Sequence, residues 1–332
     1  MSSNYHVHVS CDNESDTIQI VLIGRPILSI IDTCNSNLSQ CLYREHVKAE
    51  TILQQHNFLI ATLEKYGVCV IDVLNGSNIF TERSTIDPLQ LANLVFTRDP
   101  MITTAKGIVL GRFRESIRSL EIDMIRDCLT RKHIAISGEI TAPGCLEGGD
   151  FFPCGRDLSI VAVGMRTNME GVNQLMTRNL LGTTRIAIVH YVSQGAAADM
   201  HFIHLDCYFG IAGFKVALMW EGACDFKVDE YTQFGSLYVK TRTGVNFKRY
   251  LEIECSYRVL VVSSESQKKY GCNVLALNST TVLTQEWDVT MMLQNIGIQT
   301  IYVELSEIHK MYGGIRCATQ VISRKSVTTS QL

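Results

Sequence analysis

Residues 107–137, GIVLGRFRESIRSLEIDMIRDCLTRKHIAIS, contain the unit from which the fold can be read. Gly107 to Leu110 is a short aliphatic run beside glycines and reads as a strand. A helical stretch from Glu115 to Lys132 follows, ending on basic residues as helix C-termini often do. His133 to Ser137 is then a second strand. Working outward, the same order returns. Ile18 to Ile23 reads as a buried strand that stops at Gly24-Arg25-Pro26. Residues 45–65 place Ala49, Ile52, Leu53, Leu59, Ile60 and Leu63 at helical spacing, stop at Gly67 and lead into a strand from Val68 to Val73. Asn168 to Leu181 ends at Gly182 before Ile186 to Val192. Gln285 to Ile296 ends at Gly297 before Thr300 to Leu305.

Further strand candidates lie at 158–163, 214–219, 235–240, 257–262 and 273–277. The sequence therefore predicts strand, strand, helix, strand, repeated four or five times. The units share little residue identity, so the repeat is one of pattern. No Pro- or Ser-rich linker divides the chain. The expected organisation is a flexible N-terminal tail over 1–16 and one α/β domain over 17–330. A two-domain α/β enzyme is the alternative.

Composition narrows the class. In 332 residues, 46% are hydrophobic and 19% charged, which suits a globular chain with a large core. A net charge of -3 and the lack of a dense Lys/Arg run argue against a nucleic-acid binder. No apolar run is long enough to span a bilayer, and the polar start has no signal-peptide core. Twelve cysteines are scattered without a C-x-x-C pair or zinc-like Cys/His spacing. Several sit in apolar runs, such as Cys69 in Gly67-Val68-Cys69-Val70-Ile71. They are expected to be reduced, mostly structural thiols of a cytoplasmic protein.

Four words carry chemistry. Asn93-Leu94-Val95-Phe96-Thr97-Arg98-Asp99-Pro100 puts an acid before a proline, at a strand end or turn. Alone, it reads as a turn-capping Asp beside a surface arginine. Glu147-Gly148-Gly149-Asp150 brackets two glycines with acids inside an apolar stretch, where a buried charge needs compensation. Alone, it is as readily a solvated turn. His204-Leu205-Asp206, in a strand, points its two polar residues to one side. A His–Asp pair on a solvent face is the commoner outcome, and His201 is a decoy nearby. Tyr312-Gly313-Gly314-Ile315-Arg316-Cys317 sets a cation beside a cysteine, which favours the thiolate, after glycines with wide backbone freedom. Alone, it reads as a glycine turn before a buried Cys. Together they fit one chemistry. A thiolate attacks an electron-poor carbon, carboxylates grip a planar cation, and a histidine moves the proton. A guanidinium compound answers to paired acids around a cysteine. No phosphate-binding glycine loop occurs, so neither nucleotide cofactor nor metal is expected.

These words, with Met165-Arg166-Thr167, Gly24-Arg25-Pro26 and Ser306-Glu307, resemble arginine deiminase within the guanidino-group-modifying (pentein) superfamily. They come in that family's order from about residue 90 to the end. The resemblance implies a five-bladed α/β propeller of ββαβ units and hydrolysis of L-arginine to citrulline and ammonia. It implies Cys317 as nucleophile, His204 as acid and base, Glu147 holding His204, and Asp99 and Asp206 gripping the guanidinium. It implies Arg166, Asn93 and Arg112 (or Arg114, where the match slips) on the substrate carboxylate. Asp150 and Arg316 are further expected substrate-binding residues. The helical-bundle insert of arginine deiminases is missing between Cys41 and Asn93, which brings the chain nearer to the dimethylarginine-hydrolysing enzymes. After Cys317 the proline usual in the family's strand is absent. Residues 194–203 before His204 also look unusual. Dimethylarginine hydrolysis, arginine dihydrolysis to ornithine, amidino transfer and a catalytically silent binding propeller are the alternatives, and a homodimer stays open.

Overall fold

The computed structural model describes residues 9–77, 87–191 and 200–326. Five sheets make up the fold. Each opens with an antiparallel pair, runs through helical chain, and closes with a strand parallel to the second of the pair. In the first, β3 (Met101–Thr104) pairs with β4 (Gly107–Leu110), and α3 (Ser119–Arg131) leads to β5 (Ile136–Glu139). In the second, β6 (Phe151–Pro153) and β7 (Leu158–Val163) precede α4 (Met169–Thr177) and β8 (Arg185–His190). The third joins β9 (Phe209–Gly213), β10 (Val216–Trp220) and β13 (Arg258–Val262). The fourth joins β14 (Leu275–Ala276) and β15 (Thr281–Thr284), through α5 (Trp287–Gln294), to β16 (Gln299–Tyr302). The fifth is assembled from both ends of the chain. There β17 (Gln320–Lys325) pairs with β1 (Thr17–Ile23), and α1 (Leu28–Asn35) and α2 (Ala49–Lys65) lead to β2 (Cys69–Asp72). This is the expected five-bladed α/β propeller of ββαβ units. Among the described residues, no helical bundle stands between β2 and β3.

Local chemistry explains the repeat. α2 buries Ile52, Leu59, Ile60 and Leu63 along one face and ends where Gly67 takes φ 78°. That is the left-handed turn a glycine makes without a Cβ clash. β10 and β15 bury their centres, so they read as plain apolar runs. One insertion breaks the pattern. Between β10 and β13, a hairpin of β11 (Lys227–Phe234) and β12 (Leu237–Asn246) adds to the edge of β8, giving that sheet five strands. The expected strand at 235–240 is the turn and first half of β12.

Several expectations are corrected. Of the tail expected over 1–16, residues 1–8 lie outside the described residues, and 9–16 are packed in. Ser10, Cys11, Glu14 and Ser15 are buried there. Two cysteines expected as reduced thiols, Cys34 and Cys41, form a disulfide, with Cα atoms 5.6 Å apart. The other ten are free, and Cys69 is exposed because the outer faces of β2 are not covered. The absence of a proline after Cys317 does not prevent β17 from pairing with β1. No described helix is long and apolar enough to cross a membrane.

Candidate active site

The five-fold pattern places the site. Each sheet's first strand is preceded by a short turn. Asp99 lies just before β3, Glu147 to Asp150 before β6, and His204 to Asp206 before β9. Asn273 lies just before β14, and Arg316 and Cys317 before β17. Repetition of one local geometry brings distant residues together: Asn273 Nδ2 donates to Cys317 Sγ, 44 positions away, at 3.1 Å, and Arg98 Nε reaches the Arg316 carbonyl, 218 positions away. Glycines appear where turns approach closely. A Cβ on Gly149 would lie 2.7–2.8 Å from His204 ring atoms, and one on Gly313 would enter the Phe96 ring. Neither Gly313 nor Gly314 takes a positive φ, so clearance, not backbone freedom, is their role.

A pocket of about 340 Å³, counted to its mouth, has Asn93, Asp99, Arg118, Arg166, His204 and Cys317 in its wall, with an apolar rim that includes Phe96, Met200 and Tyr312. His204 is buried, with Nε2 2.8 Å from Glu147 Oε2 and Nδ1 3.7 Å from Asp99 Oδ1. Burial alone lowers an imidazole pKa. Asp99 and the hydrogen bond to Glu147 outweigh it and push His204 up to about 9, so the ring carries a proton at neutral pH. Burial also works against the Glu147 carboxylate, but the hydrogen bond and charge of His204 hold it down at about 2. The other oxygen of Glu147 accepts from the Arg114 amide at 3.1 Å.

Cys317 is buried. Its Sγ also lies 3.7 Å and 3.8 Å from the two oxygens of Asp206. Burial, then the carboxylates of Asp206 and Asp99, push its thiol well above the ordinary range. Cys317 therefore rests as a protonated thiol, and the expected thiolate-favouring effect of Arg316 is not realised. Arg316 turns away from the pocket. It is wholly buried, with Nε 2.9 Å from Glu14 Oε1, Nη1 3.1 Å from Asp206 Oδ2, Nη2 on the Phe151 carbonyl and its plane 3.7 Å above the Phe152 ring. It pairs with Asp206 and is not in the pocket wall.

Asp150 is likewise corrected. Its two oxygens accept from Thr167 Oγ1 at 2.7 Å and from the Leu205 amide at 2.9 Å, so it ties the histidine turn to the Glu147 turn. Burial pushes it up to about 7. His204 and Asp206 lie in a 3-10 turn and not in the expected strand, because the chain must bend there to enter β9. Arg112 donates to the Gly144 carbonyl and lines a different cleft with Arg114, leaving the pocket to others. Asn93 and Arg166 do line the pocket. Asn93 Nδ2 donates to the Cys41 carbonyl, while Arg166 Nη1 has no hydrogen-bond partner, with Glu115 Oε1 3.5 Å away.

Two residues escaped the sequence reading. Arg118 lines the pocket, pairs through Nη1 with Asp99 Oδ2 at 2.7 Å and is anchored by Glu121 at 2.7 Å. Its signal was Arg118-Ser119-Leu120-Glu121, an i,i+3 pair at a helix start. Asn273 holds the Cys317 turn, accepting from the Arg316 amide at 2.8 Å and donating to Cys317 Sγ. Its signal was position: it stands in the fourth sheet's turn where the other sheets carry their polar words. Asp99, Glu147 and His204 bring donor atoms within 4.8 Å, near enough for a metal ion. Glu147 and His204 are engaged with each other, and Arg118 already supplies positive charge to Asp99.

Comparison with known proteins agrees with this geometry. Residues 74–324 match the family model described as arginine deiminase. The uncharacterized protein YkgA of Bacillus subtilis is 24% identical over 318 residues, covering 95% of each chain. Arginine deiminase of Mycoplasma capricolum subsp. capricolum is 24% identical over 260 residues, covering 73% of this chain and 63% of that protein. The chain thus spans under two thirds of that deiminase. Among solved structures, DDAH (dimethylarginine dimethylaminohydrolase) from Pseudomonas aeruginosa, complexed with citrulline, superposes with a TM-score of 0.66 at 18% identity. It covers 92% of this chain and 99% of its own, a likeness of fold.

Proposed function

We propose that this chain, which belongs to the arginine deiminase family, hydrolyses the guanidinium group of L-arginine to citrulline and ammonia. The observation that carries the reading is one pocket wall holding Cys317, a protonated His204 and the half-paired carboxylate of Asp99. Asp99 Oδ1 has no hydrogen-bond partner, and Asp206 stands beside the sulfur. A guanidinium drawn between these acids brings positive charge to Cys317 and lowers the cost of ionising its thiol. Arg118 occupies Asp99 Oδ2 as a resident guanidinium. The substrate displaces it and frees it to join Arg166 on the substrate carboxylate.

Cys317 passes its thiol proton to Asp206, 3.7 Å from the sulfur, and the thiolate adds to the guanidinium carbon. His204 gives its proton to the departing amine, ammonia leaves, and an amidino group stays on sulfur. His204, now a base held by Glu147, takes a proton from water. The hydroxide adds to the same carbon, the C–S bond breaks with its electron pair on sulfur, and the new hydroxyl gives its proton to the departing thiolate while Asp206 returns the first proton to solvent, releasing citrulline and the Cys317 thiol.

One observation favours a second reading within this chemistry, the hydrolysis of methylated arginine. The chain spans only part of the Mycoplasma deiminase but nearly all of the dimethylarginine hydrolase. Turnover of L-arginine, methylated arginine and agmatine by purified protein tests both. Citrulline from arginine, lost in Cys317→Ala, supports the first reading. Turnover of methylated arginine alone supports the second. Activity that survives Cys317→Ala contradicts both.

A further inference from the structure

Arg112 and Arg114, expected on the substrate, face a second cleft. It is open, about 930 Å³ to its mouth, and its wall carries Arg112, Arg114 and Arg126 among hydroxyls of Ser116, Ser119 and Thr141. Two acids, Asp123 and Glu139, share the wall, and Glu139 pairs with Arg126 at 2.8 Å. Arg112 spends one nitrogen, Nη1, on the Gly144 carbonyl and Cys145 Sγ. The Arg114 side chain is exposed and makes no ion pair among the described residues. Forked guanidinium donors among hydroxyls match an oxyanion with several acceptor oxygens better than a lone carboxylate.

The same segment touches the catalytic pocket with its other side. The Arg112 amide and carbonyl exchange hydrogen bonds with Leu146 at 3.0 Å each. The Arg114 amide holds Glu147 Oε1, and Glu115 stands 3.5 Å from Arg166. Arg112 and Arg114 therefore present side chains to the cleft, while the Arg114 amide holds the group that orients His204. We propose that this cleft binds the phosphoryl group of a small molecule and that its occupancy restrains the 112–115 segment against Glu147. The site is distinct from the guanidino pocket, and its binding test needs no turnover.

Inorganic phosphate is the probe. Arginine labelling by phenylglyoxal, mapped by mass spectrometry, is followed with phosphate and with chloride at matched ionic strength. Phosphate at about ten times its Kd slows labelling of Arg112 and Arg114 about tenfold, by mass action. The exposed Arg156 reacts at an unchanged rate, and chloride protects neither. Equal protection by chloride, or none by phosphate, overturns the site. Arg114→Gln weakens phosphate binding in calorimetry. If that variant misfolds, labelling of the unaltered protein decides. Amide hydrogen exchange at Arg114 and Leu146 slows with phosphate bound, and unchanged exchange overturns the link to Glu147.

Discussion

His204 keeps a proton at neutral pH because two carboxylates overcome the cost of burying its charge. The folded pKa, about 9, lies above the ordinary value, about 6.5. Its contribution to stability is thus full below about pH 6.5 and lost as pH rises through 9. Turnover that needs His204 as an acid declines over the same upper limb. Glu147→Gln removes the charged hydrogen-bond partner at 2.8 Å, so the imidazole, followed by NMR, titrates below 9. An unchanged titration contradicts the assigned role. Asn273→Ala strips the buried Arg316 amide of its acceptor and Cys317 Sγ of its donor. It costs about 1–3 kcal/mol in denaturant melts, with a fall in kcat. At this scale the sequence was legible only through its words taken together: Glu147, His204 and Cys317 each read alone as a turn, surface or core residue, and the structure brings them to one place. The sequence misplaced Asp150, Arg112 and Arg316, because a charged residue beside a catalytic word can face either way from a turn.

The turns that precede each sheet's first strand are the elements that make the site. Gly149→Ala sets a Cβ against the His204 ring and drives it off Glu147. Overpacking of this kind costs about 1–3 kcal/mol, so the variant folds, melts at a lower temperature and loses most of its kcat. A melting point and kcat both unchanged would contradict the geometry. The helices from 49 to 65 and from 119 to 131 were legible from apolar periodicity and their ends. The strands β3, β6 and β9 were not, being three to five residues long and placed directly after the polar words. The Cys34–Cys41 bond was also illegible, since twelve cysteines allow many pairings. It closes a short loop whose Cys41 carbonyl receives Asn93. Replacing both cysteines by serine costs about 2–3 kcal/mol by loop-closure entropy. Alkylation of the unfolded, unreduced protein labels ten thiols, and twelve would contradict the bond.

Across the whole molecule, the two chain ends meet in one sheet, and the first described residues supply a counter-ion to the turn before β17. Glu14 pairs with Arg316 while both are almost fully buried. Burial opposes its charge, but Arg316, Arg98 and Arg324 hold its carboxyl at about 2. That folded value is below the unfolded one, so the pair stabilises above about pH 4.5 and the contribution fades as pH falls toward 2. Glu14→Gln leaves a buried guanidinium short of charge and costs about 3–5 kcal/mol, read as a lower melting temperature at neutral pH. The polar composition of residues 1–16 hid this, because a single buried acid looks like a tail residue until its arginine is in place. The repeat of strand, strand, helix, strand was legible from pattern, whereas the β11–β12 insertion had no counterpart in the other units. Everything in the site converges on Cys317 Sγ. The most direct measurement is therefore acid-quenching of the protein during turnover of L-arginine, followed by peptide mass spectrometry. An amidino group on Cys317, absent when the substrate is omitted, is the predicted result; citrulline formed with no adduct on Cys317 and undiminished in Cys317→Ala would contradict it.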